Sequence, residues 1–355
     1  MTGQRDIVIA GGGMVGLSLA LQLSRSLPAS ATVTLVESVP LSAPVAGEAP
    51  TYHPSFDARS TALSFSSRSI YQAMGLWEGL SQWTCPIATI HVSNRGRFGS
   101  SVLRANDYRW PALGYVVENA WMGRYLLHAL QSEARVELVT PARVTAAEPG
   151  PDGTRLQIEH ETVQTLEAGL LVVADGAGSA LRASLGVTAD EKPYGQHALV
   201  ANVAFARGHQ GCAYERFTDQ GPLALLPLLA ADGAAHRAAL VWTLPEEEAR
   251  ILSQGVGVVL ARARSELDEV IGGAQQGQQP ADAGQVLAQD LAAENREEGR
   301  VHAAGIGQEA APGIESKLQD FRVGAGQFPD MGGIGEGALF AQQVIQVGSI
   351  TAYLL

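Results

Sequence analysis

A glycine-rich loop near the start of the chain constrains the fold more than any other feature. Gly11, Gly13 and Gly16 form a G-x-G-x-x-G pattern directly after the apolar run 7–10. A predicted helix follows, and the next apolar run ends in the acidic residue Glu37. This order of strand, loop, helix and strand is typical of the first half of a dinucleotide-binding fold.

Each glycine of such a loop has its own physical role. Gly11 allows a tight turn after the strand, Gly13 lets the backbone approach a pyrophosphate, and Gly16 lets the helix pack closely on the sheet. The helix predicted from Met14 to Ser26 directs its N-terminal amides and the positive end of its dipole at the phosphates. The alternative is an ordinary turn between a strand and a helix.

Glu37 strengthens the dinucleotide interpretation because of its distance from the loop. It lies 21 residues after Gly16. A carboxylate at this position accepts hydrogen bonds from both ribose hydroxyls of an adenosine and repels a 2′-phosphate. The alternative is a glutamate on the protein surface.

Size and charge exclude some classes of protein. The chain has 355 residues, of which 46% are hydrophobic and 17% charged, so it is expected to form two domains with a large core. The net charge of −12 argues against a nucleic-acid binder, which needs a concentrated positive surface.

The cysteines and the N-terminus indicate a cytoplasmic protein. The two cysteines, Cys85 and Cys212, belong to no C-x-x-C motif, so we expect neither a disulfide nor a thiolate zinc site. The eight histidines form no metal-like pattern with neighbouring acids. We find no signal-peptide pattern and no apolar stretch long enough to span a bilayer, so any membrane association is expected to be peripheral.

A second motif follows the apolar run 170–174, which predicts a strand buried on both faces. The run is followed by Asp175 and Gly176. In doubly wound sheets, ligands bind at this carboxyl end of a strand. An Asp-Gly pair after a strand is also the composition of an ordinary turn. Likewise, Ser179 and Arg182 have the alternative roles of a helix cap and a solvated charge.

The rest of the pattern predicts a mixed architecture. Short apolar runs alternate with turn residues from 198 to 242, which indicates an antiparallel sheet suited to form one wall of an apolar substrate pocket. Residues 136–139 and 155–161 are predicted to be strands of one meander, and 87–93 one strand. Helices are predicted at about 64–74 and 121–132.

Together these motifs resemble the group A flavoprotein aromatic hydroxylases, in particular their ubiquinone-biosynthesis branch. The resemblance covers residues 1 to about 270. It rests on the glycine loop with Glu37, on F-D-x-R-x-x-A-L at 56–63, L-G-x-V-V-E at 113–118, A-D-G-x-x-S-x-x-R at 174–182, and the stretch 214–227.

The resemblance implies an FAD site with named residues. It assigns the glycine loop, including Met14, to the FAD pyrophosphate and Glu37 to the adenosine ribose. Arg59 and, on a looser local match, Arg124 are implied to lie near the flavin. Asp175 and Gly176, accompanied by Ser179 and Arg182, are implied to contact FAD and the pyrophosphate of NAD(P)H.

The resemblance also implies a fold and an activity. The expected fold is α/β, with a Rossmann-like FAD-binding domain at 1–85 and 112–186 and an antiparallel-sheet substrate domain at 86–111 and 187–272. The implied reaction is the hydroxylation of a polyprenylated phenol with NAD(P)H and O2, in contact with the inner membrane surface or with other ubiquinone-biosynthesis proteins. No residue is identified as the group that activates the phenol.

The C-terminal segment 274–355 departs from the family pattern. It contains 13 Gly and 12 Gln and lacks the expected third motif, which combines Gly-Asp with Gly-Gln-Gly. We expect this tail to fold poorly, as an altered reading frame or damaged terminus would, and the chain to bind FAD weakly or not at all. The alternative for the tail is a real domain of new function. A flavin-free scaffold and a hydroxylase of another aromatic substrate are the alternatives.

Overall fold

A computed structural model describes the greater part of the chain up to residue 263. The described residues are 4–41, 57, 59–189, 194–205, 208–231, 233–253 and 263. The predicted tail at 274–355 therefore lies outside the described residues. Backbone contacts divide the described chain into two units, the first formed by 4–41 and 123–189 and the second by the remainder. The predicted domain boundaries differ from this division and stay a prediction.

The elements are numbered in chain order. The strands are β1 (Gln4–Ala10), β2 (Val33–Val36), β3 (Ser60–Ser64), β4 (Thr84–Ile87), β5 (Thr89–Asn94), β6 (Ser100–Arg104), β7 (Gly114–Glu118), β8 (Val136–Val139), β9 (Arg143–Gly150), β10 (Gly153–Glu159), β11 (Val163–Val173), β12 (Gln196–Ala204), β13 (Cys212–Thr218), β14 (Gly221–Leu228) and β15 (Arg237–Pro245). The helices are α1 (Met14–Ser26), α2 (Phe65–Ala73), α3 (Trp77–Ser81), α4 (Asn119–Gln131), α5 (Ala180–Ser184) and α6 (Glu246–Ser253).

The first unit contains a six-stranded sheet with the order β8-β2-β1-β11-β10-β9. Strands β8, β2, β1 and β11 run parallel, whereas β11, β10 and β9 form an antiparallel meander. Val8, Ala10 and Val36 pack with Leu156 and Leu166 of the meander in one core. The strand, loop, helix and strand predicted from the glycine motif are confirmed.

The prediction for 136–139 was wrong in its pairing. This segment is strand β8, but it pairs in parallel with β2 and not with the meander. Residues 37–135 separate β8 from β2, so no tight turn joins the two strands, whereas β9, β10 and β11 are joined by tight turns and pair antiparallel. The meander instead contains β9, which the sequence pattern did not indicate.

Strand β11 is also less buried than its apolar sequence predicted. It runs parallel to β1, as expected, but Leu170 is 38% exposed and the three residues after it are half-buried. Leu171 and Val173 pack on the core shared with the meander. Helix α1 packs on β1, β2 and β8.

The second unit contains a six-stranded sheet, β12-β15-β14-β13-β5-β6, and a three-stranded sheet, β3-β7-β4. The predicted antiparallel sheet is confirmed for β12 to β15, while β13 and β5 pair in parallel. Trp242 is fully buried among Leu223, Leu225 and Leu240. The predicted fold class, α/β with a Rossmann-like domain and an antiparallel-sheet domain, is confirmed.

Two local predictions were correct in type and wrong in extent. The single strand expected at 87–93 is divided at Ala88 into β4 and β5, which belong to different sheets. Helix α4 begins at Asn119, two residues before the predicted start. Helix α2 ends before Gly75, which has a φ of +68° and so adopts a conformation that favours glycine.

Neither cysteine forms a disulfide. Cys85 is buried and Cys212 half-buried, and both thiols are free. Within the described part of the chain, no helix is long and apolar enough to cross a bilayer.

Candidate cofactor site

The glycine loop and the Asp175 loop meet at the ends of two neighbouring parallel strands. Gly11 has a φ of +109°, and a Cβ atom there would collide with the Ala174 carbonyl and would lie 2.7 Å from the Asp175 Cα. A Cβ atom on Gly16 would collide with the Gly11 carbonyl oxygen. Only glycine allows these two close approaches, so the motif fixes the contact between the loops.

The N-terminus of helix α1 is open to an anion. Gly13 is its N-cap, no side chain caps the helix, and no acidic residue lies in its first turn. The amides of the first turn have no acceptor within the helix itself. Helix α1 has 13 residues, so its dipole adds to the attraction for a phosphate.

Glu37 fixes the glycine loop by accepting hydrogen bonds. Its carboxylate is 6% exposed and accepts hydrogen bonds from the Gly12 amide at 2.6 Å, the Val39 amide at 2.7 Å and the Ser38 hydroxyl at 3.1 Å. These donors fix the orientation of the carboxylate. Its position at the end of β2, beside the glycine loop, is the one expected for a ribose-binding acid.

The Asp175 loop leaves space beside the glycine loop. Asp175, Gly176 and Gly178 are exposed, and Gly176 has a φ of +102°. A Cβ atom on Gly176 or Gly178 would meet no atom within 4 Å. The open helix N-terminus, the buried acid and this glycine-lined space fit the adenosine diphosphate part of FAD.

Ser179 is a helix cap, as in the alternative interpretation of this residue. Its hydroxyl is buried, caps helix α5 and accepts a hydrogen bond from the Arg182 amide at 2.9 Å. Arg182 is half-buried and its Nε atom has no hydrogen-bond partner in the described chain. Arg182 is therefore not simply a solvated charge, and the cofactor roles of both residues stay predictions.

The two other arginines are placed differently. Arg59 belongs to the second unit, is exposed, and its Nε lies 2.6 Å from a carboxylate oxygen of Asp57. Arg124 is half-buried on helix α4 in the first unit. Their contacts with a flavin stay predictions.

The second unit contains a buried ion pair that the sequence did not indicate. Glu118 accepts from the two terminal nitrogens of Arg237 at 2.8 and 3.1 Å, and from the Asn202 amide at 3.2 Å. The Arg237 side chain is 9% exposed and that of Glu118 16%. The pair connects the end of β7 to the six-stranded sheet.

Glu215 is the second feature that the sequence did not indicate. It lies on β13, is 3% exposed, and its carboxyl group has no hydrogen bond or ion pair with any described residue. Its cross-strand neighbours are Val92 and Ala224. Burial raises the pKa of the Glu215 carboxyl to about 7. The available signal was its place in strand alternation, between Ala213 and Phe217 on one sheet face.

No group of three or more His, Cys, Asp or Glu side chains in the described ranges is arranged to hold a metal ion.

Two curated relatives are similar to most of the described chain. Ubiquinone hydroxylase UbiL of Rhodospirillum rubrum is 32% identical over 238 residues, which cover 67% of this chain and 51% of that protein. The 3-demethoxyubiquinol 3-hydroxylase of Escherichia coli is 30% identical over 243 residues, covering 68% of this chain and 58% of that protein. The chain thus spans little more than half the length of these relatives.

Solved structures share the fold at low sequence identity. PqsL of Pseudomonas aeruginosa, in complex with 2-aminobenzoylacetate, gives a TM-score of 0.61 at 22% identity and covers 76% of this chain and 70% of its own. The p-nitrophenol 4-monooxygenase PnpA of Pseudomonas putida gives 0.59 at 16% identity, covering 75% and 64%. The FAD binding domain family matches residues 4–305. The chain belongs to the FAD binding domain family.

Proposed function

We propose that the chain is a flavin-dependent monooxygenase that hydroxylates a polyprenylated phenol in ubiquinone biosynthesis, with NAD(P)H and O2 as co-substrates. The names of the two curated relatives support this activity class. The motifs described above are most like those of the 2-octaprenyl-6-methoxyphenol hydroxylases within that branch, which supports a phenol with a long prenyl chain.

One observation carries the proposal. Gly11 brings the glycine loop against Ala174 and Asp175, so the two motifs of the FAD family lie side by side at the open end of helix α1. A single G-x-G-x-x-G loop is compatible with several dinucleotides. The pairing of both loops favours FAD over the other dinucleotides.

The residues of the first unit would hold the cofactor without taking part in the chemistry. The amides of residues 13–16 would bind the pyrophosphate, and Glu37 would accept from the ribose hydroxyls. Asp175 has an exposed carboxylate available to further hydroxyl groups. Bound FAD supplies the redox chemistry that activates O2.

Glu215 is our candidate for the group that meets the hydroxyl of the phenol. Its carboxyl is buried on an apolar sheet face and lacks a partner among the described residues. An unpaired buried carboxyl is costly, and a phenolic hydroxyl bound beside it would supply the missing hydrogen bond. In its ionised form, Glu215 would also accept the proton of the phenolic hydroxyl, and the resulting phenolate ring is more electron-rich.

The activity is tested with the full chain, excess FAD, NADPH or NADH, and a prenylated phenol in detergent. We expect hydroxylated product that carries oxygen from isotopically labelled O2. Glu215→Gln is expected to lower product formation and to remove the pH dependence near 7, while NADPH oxidation without phenol stays unchanged. An unchanged pH profile in Glu215→Gln would exclude the role of this carboxyl and leave the activity itself standing.

The same assay separates the alternatives. An unprenylated phenol that reacts as well as the prenylated one would favour a hydroxylase of another aromatic substrate. A flavin-free scaffold is favoured by the absence of the third motif from 274–355. It predicts no product at any FAD concentration, together with retained binding to other ubiquinone-biosynthesis proteins.

A polyprenylated substrate also determines where in the cell the enzyme binds it. Such a phenol partitions into the bilayer, because each buried methylene favours the membrane. We therefore propose a protein of the cytoplasm that makes peripheral contact with the inner membrane.

A further inference from the structure

The tip of the β5–β6 hairpin presents an aromatic side chain to solvent. Residues 94–99 connect Ser93 and Ser100, the last paired residues of the two strands. Phe98 is 109% exposed, the highest value among the large hydrophobic residues described. A Cβ atom on Gly96 or Gly99 would meet no atom within 4 Å. Phe98 and both glycines of the tip therefore have open space around them in the described part of the chain.

The hairpin is basic although the chain is acidic. The hairpin, residues 89–104, contains three arginines and no acidic residue, whereas the whole chain has a net charge of −12. No ion pair with another described residue engages Arg97 or Arg104. The hairpin is thus a local positive feature on a chain that anionic surfaces otherwise repel.

We propose that the 95–98 tip docks the protein on an anionic lipid surface. Phe98 enters the boundary between headgroups and acyl chains, and Arg97 pairs with a lipid phosphate. The combination of an exposed aromatic ring with an adjacent cation matches this occupant in both polarity and charge. The proposal rests on the proposed function in one respect. A prenylated phenol lies in the bilayer, so an enzyme that acts on it has to bind the membrane surface.

The test is flotation of the full chain with two kinds of vesicle, neither of which contains a quinone precursor. One is pure phosphatidylcholine, and the other contains about a third phosphatidylglycerol. The variants are Phe98→Ser and Arg97→Gln. The matched control is Val163→Ser, which removes an apolar side chain that is 66% exposed in the first unit. Thermal unfolding checks that each variant is folded.

We expect the unchanged chain to bind the anionic vesicles and to dissociate as salt is raised. Phe98→Ser should weaken binding roughly tenfold, and Arg97→Gln about fivefold, while Val163→Ser binds like the unchanged chain. No binding to anionic vesicles, or equal binding by Phe98→Ser, would overturn the proposal. Equal binding to both vesicle types would overturn the role of Arg97.

These outcomes are separate from those of the hydroxylase assay. Vesicle binding requires neither FAD nor a phenol, so a chain without activity still tests the docking tip. Conversely, an active chain that ignores anionic vesicles would retain its proposed function and lose the docking site. A tip that instead binds a protein partner would leave vesicle binding by Phe98→Ser unchanged.

Discussion

The glycine loop of the first unit and the six-stranded sheet of the second each contain a buried carboxyl group, and the two groups differ in their hydrogen bonds. Glu37 is 6% exposed and accepts from two backbone amides and a hydroxyl. Glu215 is 3% exposed and has no partner in the described chain. The first carboxylate therefore builds the loop that receives a ligand. The second leaves a hydrogen bond for a ligand to supply.

The largest expected effect concerns the buried ion pair of Glu118 and Arg237. It tests whether the cation offsets the cost of burying the carboxylate. Arg237→Met should lower the free energy of unfolding by about 4 kcal/mol, because it leaves Glu118 buried without its cation. Urea unfolding followed by circular dichroism measures this. Arg155→Met is the matched control, since Arg155 makes an exposed pair with Glu167 at the same 2.8 Å. An equal loss of unfolding free energy in both variants would contradict the difference between the buried and the exposed ion pair.

The next effect tests whether backbone packing fixes the glycine loop. Gly16→Ala places a Cβ atom against the Gly11 carbonyl and should cost roughly 3 kcal/mol of unfolding free energy. Gly178→Ala is the control, because a Cβ atom there would meet nothing within 4 Å. If Gly16→Ala unfolds at the same urea concentration as Gly178→Ala, helix α1 does not pack on the loop as described.

The pH dependence of stability tests the unpaired carboxyl. The pKa of Glu215 is raised from 4.5 to about 7 in the folded protein. Its stabilising contribution is therefore fully present below pH 4.5 and is lost as the pH rises through 7. The expected loss is roughly 3 kcal/mol. Glu215→Gln should remove this part of the pH dependence, and Glu159→Gln, at an exposed position on β10, should not. A flat profile for the unchanged chain would show that Glu215 has a partner.

The smallest effect concerns the thiols of the second unit. Burial raises the pKa of the Cys85 thiol to about 11, and it also raises the pKa of the half-buried Cys212 thiol. Because the thiolate is the reactive form, both should react slowly with a disulfide reagent, Cys85 more slowly. Labelling rates of Cys85→Ser and Cys212→Ser compare the two. Faster labelling of Cys85 would contradict its burial.

The same contrast explains what the sequence could predict. The loop and helix α1 were predictable because local rules determine them: glycine spacing, apolar period and the acid at the next strand end. Helix α1 begins and ends at the predicted residues, Met14 and Ser26. The resemblance to a known family supplied FAD and the second motif, which the residues alone could not distinguish from a turn.

The features that were missed depend on residues distant in sequence. Glu215 is buried between Val92 and Ala224, which come from strands on either side of β13. The pair of Glu118 and Arg237 joins residues 119 positions apart. The pairing of strand β8 was predicted wrongly for the same reason, since its partner β2 ends at Val36, before the whole of residues 37–135. Local periodicity carries no information on such partners.

The most direct test of the account is an FAD titration of the purified chain, followed by flavin fluorescence, beside Gly16→Ala and Gly178→Ala. The two loops of the first unit are in place, but the third motif is absent from 274–355. We expect the chain to purify without flavin colour and to take up added FAD only weakly, with a dissociation constant in the micromolar range or above. Gly178→Ala should bind FAD more weakly than the unchanged chain, because its methyl group enters the space beside the glycine loop, and Gly16→Ala should not bind it at all. Stoichiometric FAD retained through purification, or equal uptake by Gly16→Ala, would contradict it, and no uptake by the unchanged chain would favour the flavin-free scaffold.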